Sequence, residues 1–350
     1  MFTRPTALII GAGSGVDINM PTGEALTETI AKGVNIRFEG GTRKISGTDE
    51  VVGALYRFAQ SSKIDVNTLF AAGRNISQGI YHTRSIDNYI HTHRHDDNIK
   101  LVGKVAIVHT ILNAEKNSLL MIDETKHRGE FRKAEAVRRT WLRDFLHVLQ
   151  NAIVAKDNLD SIFENLTIVN FNYDRCIEHF LYQVLQELYL IPKEKAIELI
   201  GRLNIYHPYG QVAPLPWQHS NGLFFGGNPH GYENDLVGFA QNIRTYNEEV
   251  EGGKRLDSIR VALSQAQRFI FLGFHFHAQN MELIKAPISL VNAPRYAFAT
   301  TVNRSTADVN AIVDRLKNML PSRIYPLEMN IHDRLDCKGL FKEFATVFEQ

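Results

Sequence analysis

Cysteine is scarce in this 350-residue chain: there are two, Cys176 and Cys337. Two thiols cannot build a four-cysteine zinc site, and so few in a chain of this length do not read as a disulfide scaffold. A reducing, cytoplasmic compartment is the expectation. A dominant charge sign is missing too. Lys and Arg number 39 against 38 Asp and Glu, a formal net charge of +1. That balance gives no global case for binding nucleic acid directly or for an anionic membrane. No apolar run approaches the roughly 18 residues of a membrane-spanning helix. The opening MFTRPTALII carries no signal-peptide pattern. Internal repeats and low-complexity segments are absent as well.

The chain is 44% hydrophobic, enough for a sizeable core. Short apolar, β-branched or aromatic runs recur at ALII (7–10), LTIVNF (166–171), LNIYH (203–207), FIFLGF (269–274), YAFATTV (296–302) and RIYPLEM (323–329). Turn residues bound them and helical patterns separate them, which predicts an α/β fold with a mainly parallel sheet. One crossover helix needs only about a dozen residues, yet the first two runs are far further apart. A large insertion, 24–165, is expected there, followed by the rest of the core over 166–350. GEALTETIAKGV after Pro21-Thr22 predicts a helix, and so does KLVGKVAIVHTILNAEKNSLLMI. In VRRTWLRDFLHVLQNAIV, Trp141, Leu142, Phe145, Leu146, Leu149 and Ile153 fall on one helical side. PLPW (214–217) and FFGGNPHG (224–231) predict an irregular loop.

The candidate chemistry sits where the apolar runs end. ALII runs into Gly11-Ala12-Gly13-Ser14. Glycines let a backbone turn sharply, and N–H groups at a helix start attract phosphate. The dinucleotide fingerprint wants a third glycine where Val16 stands. The second run ends in Asn172-Tyr173-Asp174, ahead of a helix that would carry Glu178. Polar residues at the C-terminal end of a parallel strand are where α/β proteins hold ligands, although Asn and Asp also simply cap helices. His207 ends the third run, with Tyr209 and Gly210 after it, and FLGFHFHAQN places Gly273, Phe274, His275 and His277 after the fourth. Histidine offers a proton-transfer group near neutral pH.

Together these stretches resemble the Sir2-like, or sirtuin-type, family, in particular the bacterial branch that contains NAD-consuming defence effectors. Gly11-Ala12-Gly13 and Pro21-Thr22-Gly23 match its glycine loop and later proline, and Asn172-Tyr173-Asp174 its Asn-x-Asp element. IYHPYG stands for its His-Gly strand end, and FLGFHFHAQN for its later glycine turn. AFATTVNRS, with Asn303, lies where the family closes the adenosine end. The match runs over most of the chain in the right order. It departs at Phe171, where sirtuins carry glutamine, at Gly15, where they carry serine next to our Ser14, and at Tyr209, which takes the histidine position. His207, two residues back along an extended strand, points to the same side. The cysteine-rich zinc ribbon of sirtuins is absent, so no zinc is expected and peptide deacylation is disfavoured.

The resemblance implies a Rossmann-like, Sir2-like unit across the chain that takes NAD as substrate and releases nicotinamide with ADP-ribose or its cyclic form. It assigns catalysis to Asn172 and His207, with His275 the alternative base. It assigns NAD contacts to Gly11, Ala12, Gly13, Ser14, Pro21, Thr22, Asp174, Gly273, Phe274, His275 and Asn303. For this branch it implies antiphage defence with activity held off until assembly or a partner triggers it. A homo-oligomer, a HerA-type hexameric ATPase and an Argonaute-type protein are the expected partners, and nucleic acid is met only through them. Other expectations are a module that holds NAD or ADP-ribose without cutting it, or an assembly subunit for an ATPase or nuclease. HTHRH, with His91, His93 and His95 before Asp96 and Asp97, reads as a solvated polar segment rather than a metal site. The basic KHRGEFRKAEAVRRTWLR (126–143) reads as a solvated helix face. Trp217, Phe224 and Phe225 are expected to pack a loop.

Overall fold

A computed structural model describes residues 2–123, 130–151, 153, 156–227, 235–245, 248 and 254–350. Six strands form the central sheet: β1 (Thr6–Ile10), β6 (Leu166–Asn170), β7 (Asn204–Tyr206), β8 (Arg268–Leu272), β9 (Arg295–Thr300) and β10 (Leu327–His332). Two small antiparallel hairpins stand outside it, β2 (Arg37–Glu39) with β3 (Arg43–Ser46) and β4 (Ile122–Asp123) with β5 (Glu130–Phe131). All pairings within the large sheet are parallel, in the order β7-β6-β1-β8-β9-β10. The chain therefore winds outward from β1 to one edge, returns to β1's other side and winds to the opposite edge. This is the doubly wound, Rossmann-like order, with its reversal point between β1 and β8.

The apolar runs became strands because both faces of the sheet are covered. Alternate residues of β1 face different cores: Ala7 and Ile9 join one, Leu8 and Ile10 the other. The first core is roofed by α1 (Gly23–Val34), α2 (Asp49–Ser62), α3 (Val66–Gly79), α4 (Ile86–Thr92) and α5 (Asp97–Asn117). The second is built around the helix Trp141–Gln150, the helix Cys176–Tyr189 and the C-terminal helices Cys337–Glu343 and Ala345–Glu349. The residues between β1 and β6 are thus divided between the two faces. In Trp141–Gln150 the buried set is Trp141, Leu142, Phe145, Val148 and Leu149, while Leu146 is half-buried.

The last strand differs from its sequence-based position. RIYPLEM predicts 323–329, but the ladder with β9 runs over Leu327–His332. Pro326 has no N–H to donate, so regular pairing starts after it. The helix over 23–34 starts where expected, with the Thr22 hydroxyl accepting from the Ala25 N–H at 3.3 Å. Of FFGGNPHG, residues 228–231 lie outside the described residues, and so do 126–129 of the basic stretch.

Candidate functional site

Register fixes where the site lies. Ile10 pairs with both Asn170 and Leu272, so β1, β6 and β8 end level with one another. The next residues, Gly11, Phe171 and Gly273, open three loops side by side at the sheet's reversal point. A cavity of about 660 Å³ lies there, within the usual size of small-molecule sites. Its wall takes Gly11 and Ala12 from the first loop, Phe171 to Asp174 from the second, and Phe274, His275 and His277 from the third. The start of α1, with Pro21 and Thr22, and the start of α4, with Arg84, Asp87 and Asn88, close the remaining sides.

The first and third loops interlock. The Gly13 N–H donates to the Gly273 carbonyl at 3.1 Å, and the Gly11 N–H to the Leu272 carbonyl at 3.0 Å. Gly273 has φ +57°, and a Cβ there would stand 2.0 Å from the Ser14 nitrogen. Close backbone approach is the reason for these glycines. It also spends their donors. The Ser14 N–H and hydroxyl both donate to the Gly11 carbonyl, at 3.0 and 2.8 Å, and Trp141 Nε1 donates to the Ser14 carbonyl at 2.8 Å. The segment continues as a 3₁₀ helix, Ala12–Ile18. Of the expected phosphate cradle, Gly11 and Ala12 line the cavity, while Gly13 and Ser14 are not among the lining residues and their N–H groups are bonded within the protein.

The second loop is held from two sides. Arg175 and Glu115, both fully buried, form a charge-assisted fork, with Arg175 Nε 3.1 Å from Glu115 Oε1. The Arg175 backbone N–H also donates to Glu115 Oε1, at 3.0 Å, and the Gly226 N–H to Oε2, at 2.9 Å. Arg175 further donates to the carbonyls of Leu223 and Phe224. On the other side, His207 Nε2 lies 2.8 Å from Glu178 Oε1 and Nδ1 3.2 Å from the Asn172 carbonyl. Asp174 accepts from the Cys176 N–H at 3.1 Å, and burial raises its carboxyl pKa.

His207 is not part of the cavity wall. It is buried, and both its ring nitrogens meet oxygen acceptors. β7 ends at Tyr206, and His207 opens a turn closed by the Gly210 N–H on the His207 carbonyl at 3.0 Å. Strand alternation therefore no longer sets its direction. Tyr209 does line the cavity, donating to Asn280 Oδ1 at 2.7 Å. Phe171 packs between it and Phe274, with ring centroids at 5.8 and 5.0 Å. Gly273 supports the wall from behind, and Asn303, left-handed at φ 61° and exposed, is not among the lining residues.

Sequence reasoning missed the α4 side of the cavity. The Tyr173 hydroxyl donates to Asp87 Oδ1, and burial raises both groups' pKa values. Asn88 Nδ2 donates to Gln279 Oε1 at 2.9 Å, joining α4 to the third loop's helix, Ala278–Leu283. No glycine pattern or spaced motif marks this side; the only trace is an Asp following a Ser N-cap. Arg84 adds a cation to the wall. His277 is pushed down to about 4, first by burial, then by His275, Arg84, Arg304 and Arg315. His275 is lowered by burial and by Arg304. Arg84 is the one Lys or Arg among the lining residues, facing the carboxylates of Glu24, Glu28, Asp87 and Asp174. His91, His93 and His95 lie at the end of α4 and in the turn after it. Among the described residues no group of three or more His, Cys, Asp or Glu could hold a metal ion, and no helix is long and apolar enough to cross a membrane.

Comparison with protein-family models, with curated proteins and with solved structures finds no match to the chain.

Proposed function

We propose that the protein is a sirtuin-type NAD glycohydrolase, releasing nicotinamide and ADP-ribose by attack of water on the nicotinamide ribose. The observation that carries this reading is the cavity at the reversal point of the sheet, with Asn172 in its wall beside the glycine loop. Ligands of doubly wound sheets bind at that point. Asn172 is held by its own N–H on Asn170 Oδ1 at 3.1 Å and by His207 on its carbonyl, which leaves its amide to orient ribose or water. In this reading His207 is a positioning residue. Arg84, the cation among the lining residues, takes the diphosphate in place of the Gly13 and Ser14 donors. As a defence effector the enzyme would be held off until a trigger arrives. Self-assembly, a HerA-type ATPase or an Argonaute-type protein would supply control.

The test is nicotinamide release from NAD by the full chain, alone and after co-expression with its genomic neighbour, beside Asn172→Ala. Release that disappears in the variant, with an unchanged melting temperature, is expected. Equal release by both would end the assignment. A second reading, a module that binds NAD or ADP-ribose without cleaving it, is favoured by Phe171 and Tyr209 packing together where sirtuins carry glutamine and histidine. It predicts calorimetric binding of NAD with no nicotinamide released.

A further inference from the structure

The cavity needs a proton acceptor, and His207 does not line it. His275 stands at the exposed rim. Of the carboxylates on the wall, Glu24 and Glu28 are exposed on α1, and Asp174 is engaged by the Cys176 N–H. Asp87 is different. It is half-buried in the first turn of α4, lines the cavity, and is tied by the Tyr173 hydroxyl to the residue next to Asn172.

We propose that Asp87 is the general base of this site, its carboxylate accepting the proton of the attacking water, with Tyr173 as its positioning residue. This rests on the glycohydrolase reading. The step balances with water alone. The water oxygen bonds to ribose C1′ as the C1′–N bond breaks, and that bond's electron pair neutralises the pyridinium nitrogen of departing nicotinamide. The water proton passes to Asp87 and then to solvent. The same carboxylate faces the positive charge that develops on the sugar, and a preorganised charge in a partly dry site is more effective than one in water. Burial holds the Asp87 pKa above its ordinary 3.8, a better match to a base working near neutrality, while hydrogen bonds from Tyr173, from its own backbone N–H and from Ser85 pull it part of the way back.

The titratable neighbours on the same wall are few in kind. Glu24 and Glu28 come from α1, Tyr81 and Arg84 from the segment before α4, Tyr173 and Asp174 from the second loop, Tyr209 from the turn after β7, and His275 and His277 from the third loop. A pH profile of the wild type alone would not separate these groups, so the test compares variants. The full chain, Asp87→Asn, Tyr173→Phe and Asn172→Ala are assayed for nicotinamide release from pH 5 to 9 (about four units, within the range that side-chain bases titrate), alongside melting temperatures and NAD binding. Asp87→Asn is expected to bind NAD normally and lose about 10²–10⁴-fold in kcat, as for removal of a general base. It also loses the acid limb of kcat/KM. Tyr173→Phe removes the hydroxyl that favours the carboxylate, so its acid limb moves to higher pH while its rate at high pH stays near that of the wild type. A merely structural role for Tyr173 would lower the rate at every pH without moving the limb. Asp87→Asn within about tenfold of the wild type, or an unmoved limb in Tyr173→Phe, overturns the assignment. If Asn172→Ala is dead while Asp87→Asn is active, the base is elsewhere and the glycohydrolase reading stands. If the wild-type chain releases no nicotinamide either alone or after co-expression with its genomic neighbour, both fall.

Discussion

Single residues set the tolerance of this site. Gly273 combines a left-handed φ of +57° with a position where a Cβ would meet the Ser14 nitrogen at 2.0 Å. Left-handed backbone costs an L-residue roughly 1–2 kcal/mol, and forcing atoms into a packed contact roughly 1–3 more. Gly273→Ala is therefore expected to lose about 3 kcal/mol or more by urea unfolding. A loss below about 1 kcal/mol would show that the two loops can part without cost. Arg84 belongs to the same scale. It is exposed at the cavity rim and contributes to lowering the His277 pKa. An exposed charge-assisted contact to a phosphate is worth about 1–2 kcal/mol. On the proposed glycohydrolase reading, Arg84→Ala should weaken NAD binding by about tenfold in calorimetry while leaving stability unchanged. Binding that is insensitive to Arg84 would move the diphosphate elsewhere on the wall.

Elements determine whether those residues stay in place. The N-terminal end of Cys176–Tyr189 is tied to α5 through Arg175 and Glu115, and to the turn after β7 through Glu178 and His207. Taking one partner from a buried, fully bonded ion pair strands the other charge, at a cost of about 3–5 kcal/mol. Glu115→Ala should show that loss in chemical denaturation. A loss under about 1 kcal/mol would mean that Arg175 finds water or new partners. How legible each element was follows from what its sequence must do. β1, β6, β8 and β9 carry uninterrupted apolar runs because both faces are covered, so their positions were readable. β10 is an edge strand with half-buried residues, and its pattern was weak enough for RIYPLEM to draw it across Pro326. The glycine loop and the Asn172–Asp174 segment were readable because they adjoin strand ends. Asp87 and Asn88, on α4, and Arg84, just before it, were not, since they are distant in sequence from the other loops, and only tertiary packing brings Asp87 to Tyr173 and Asn88 to Gln279. The direction of His207 was not readable either, since strand alternation ends with Tyr206.

At the scale of the whole molecule, the buried His179 and the half-buried His277 couple folding to pH through their neutrality. His179 lies in the second core, its ring stacked on Phe225 with centroids 3.9 Å apart and its Nε2 3.0 Å from the Leu120 carbonyl. Burial, reinforced by the nearby Arg175 charge, pushes its pKa down to about 3 from 6.5. His277, on the cavity side, is depressed to about 4. A histidine with a lowered folded pKa takes up its proton first in the unfolded chain. The stability it allows is complete above pH 6.5 and drains away as pH falls toward the folded pKa. Asp87 and Asp174 act in the opposite sense. Their folded pKa values are raised, so their burial costs nothing while they are protonated, and the cost appears as pH rises above 3.8 through the raised values. The two sets oppose each other on the acid side, which makes the wild-type profile alone a poor reporter. A variant resolves it. His179→Gln keeps an amide N–H for the Leu120 carbonyl and removes the titration, giving up the ring stack as a pH-independent loss. Its unfolding free energy, measured from pH 7 to about pH 4, should fall less steeply than the wild type's, by up to about 1.4 kcal/mol per pH unit, the limit for one proton. Parallel profiles would mean that His179 is protonated in the folded protein, and that the packing of Phe225 and Leu120 around it opens to solvent in acid.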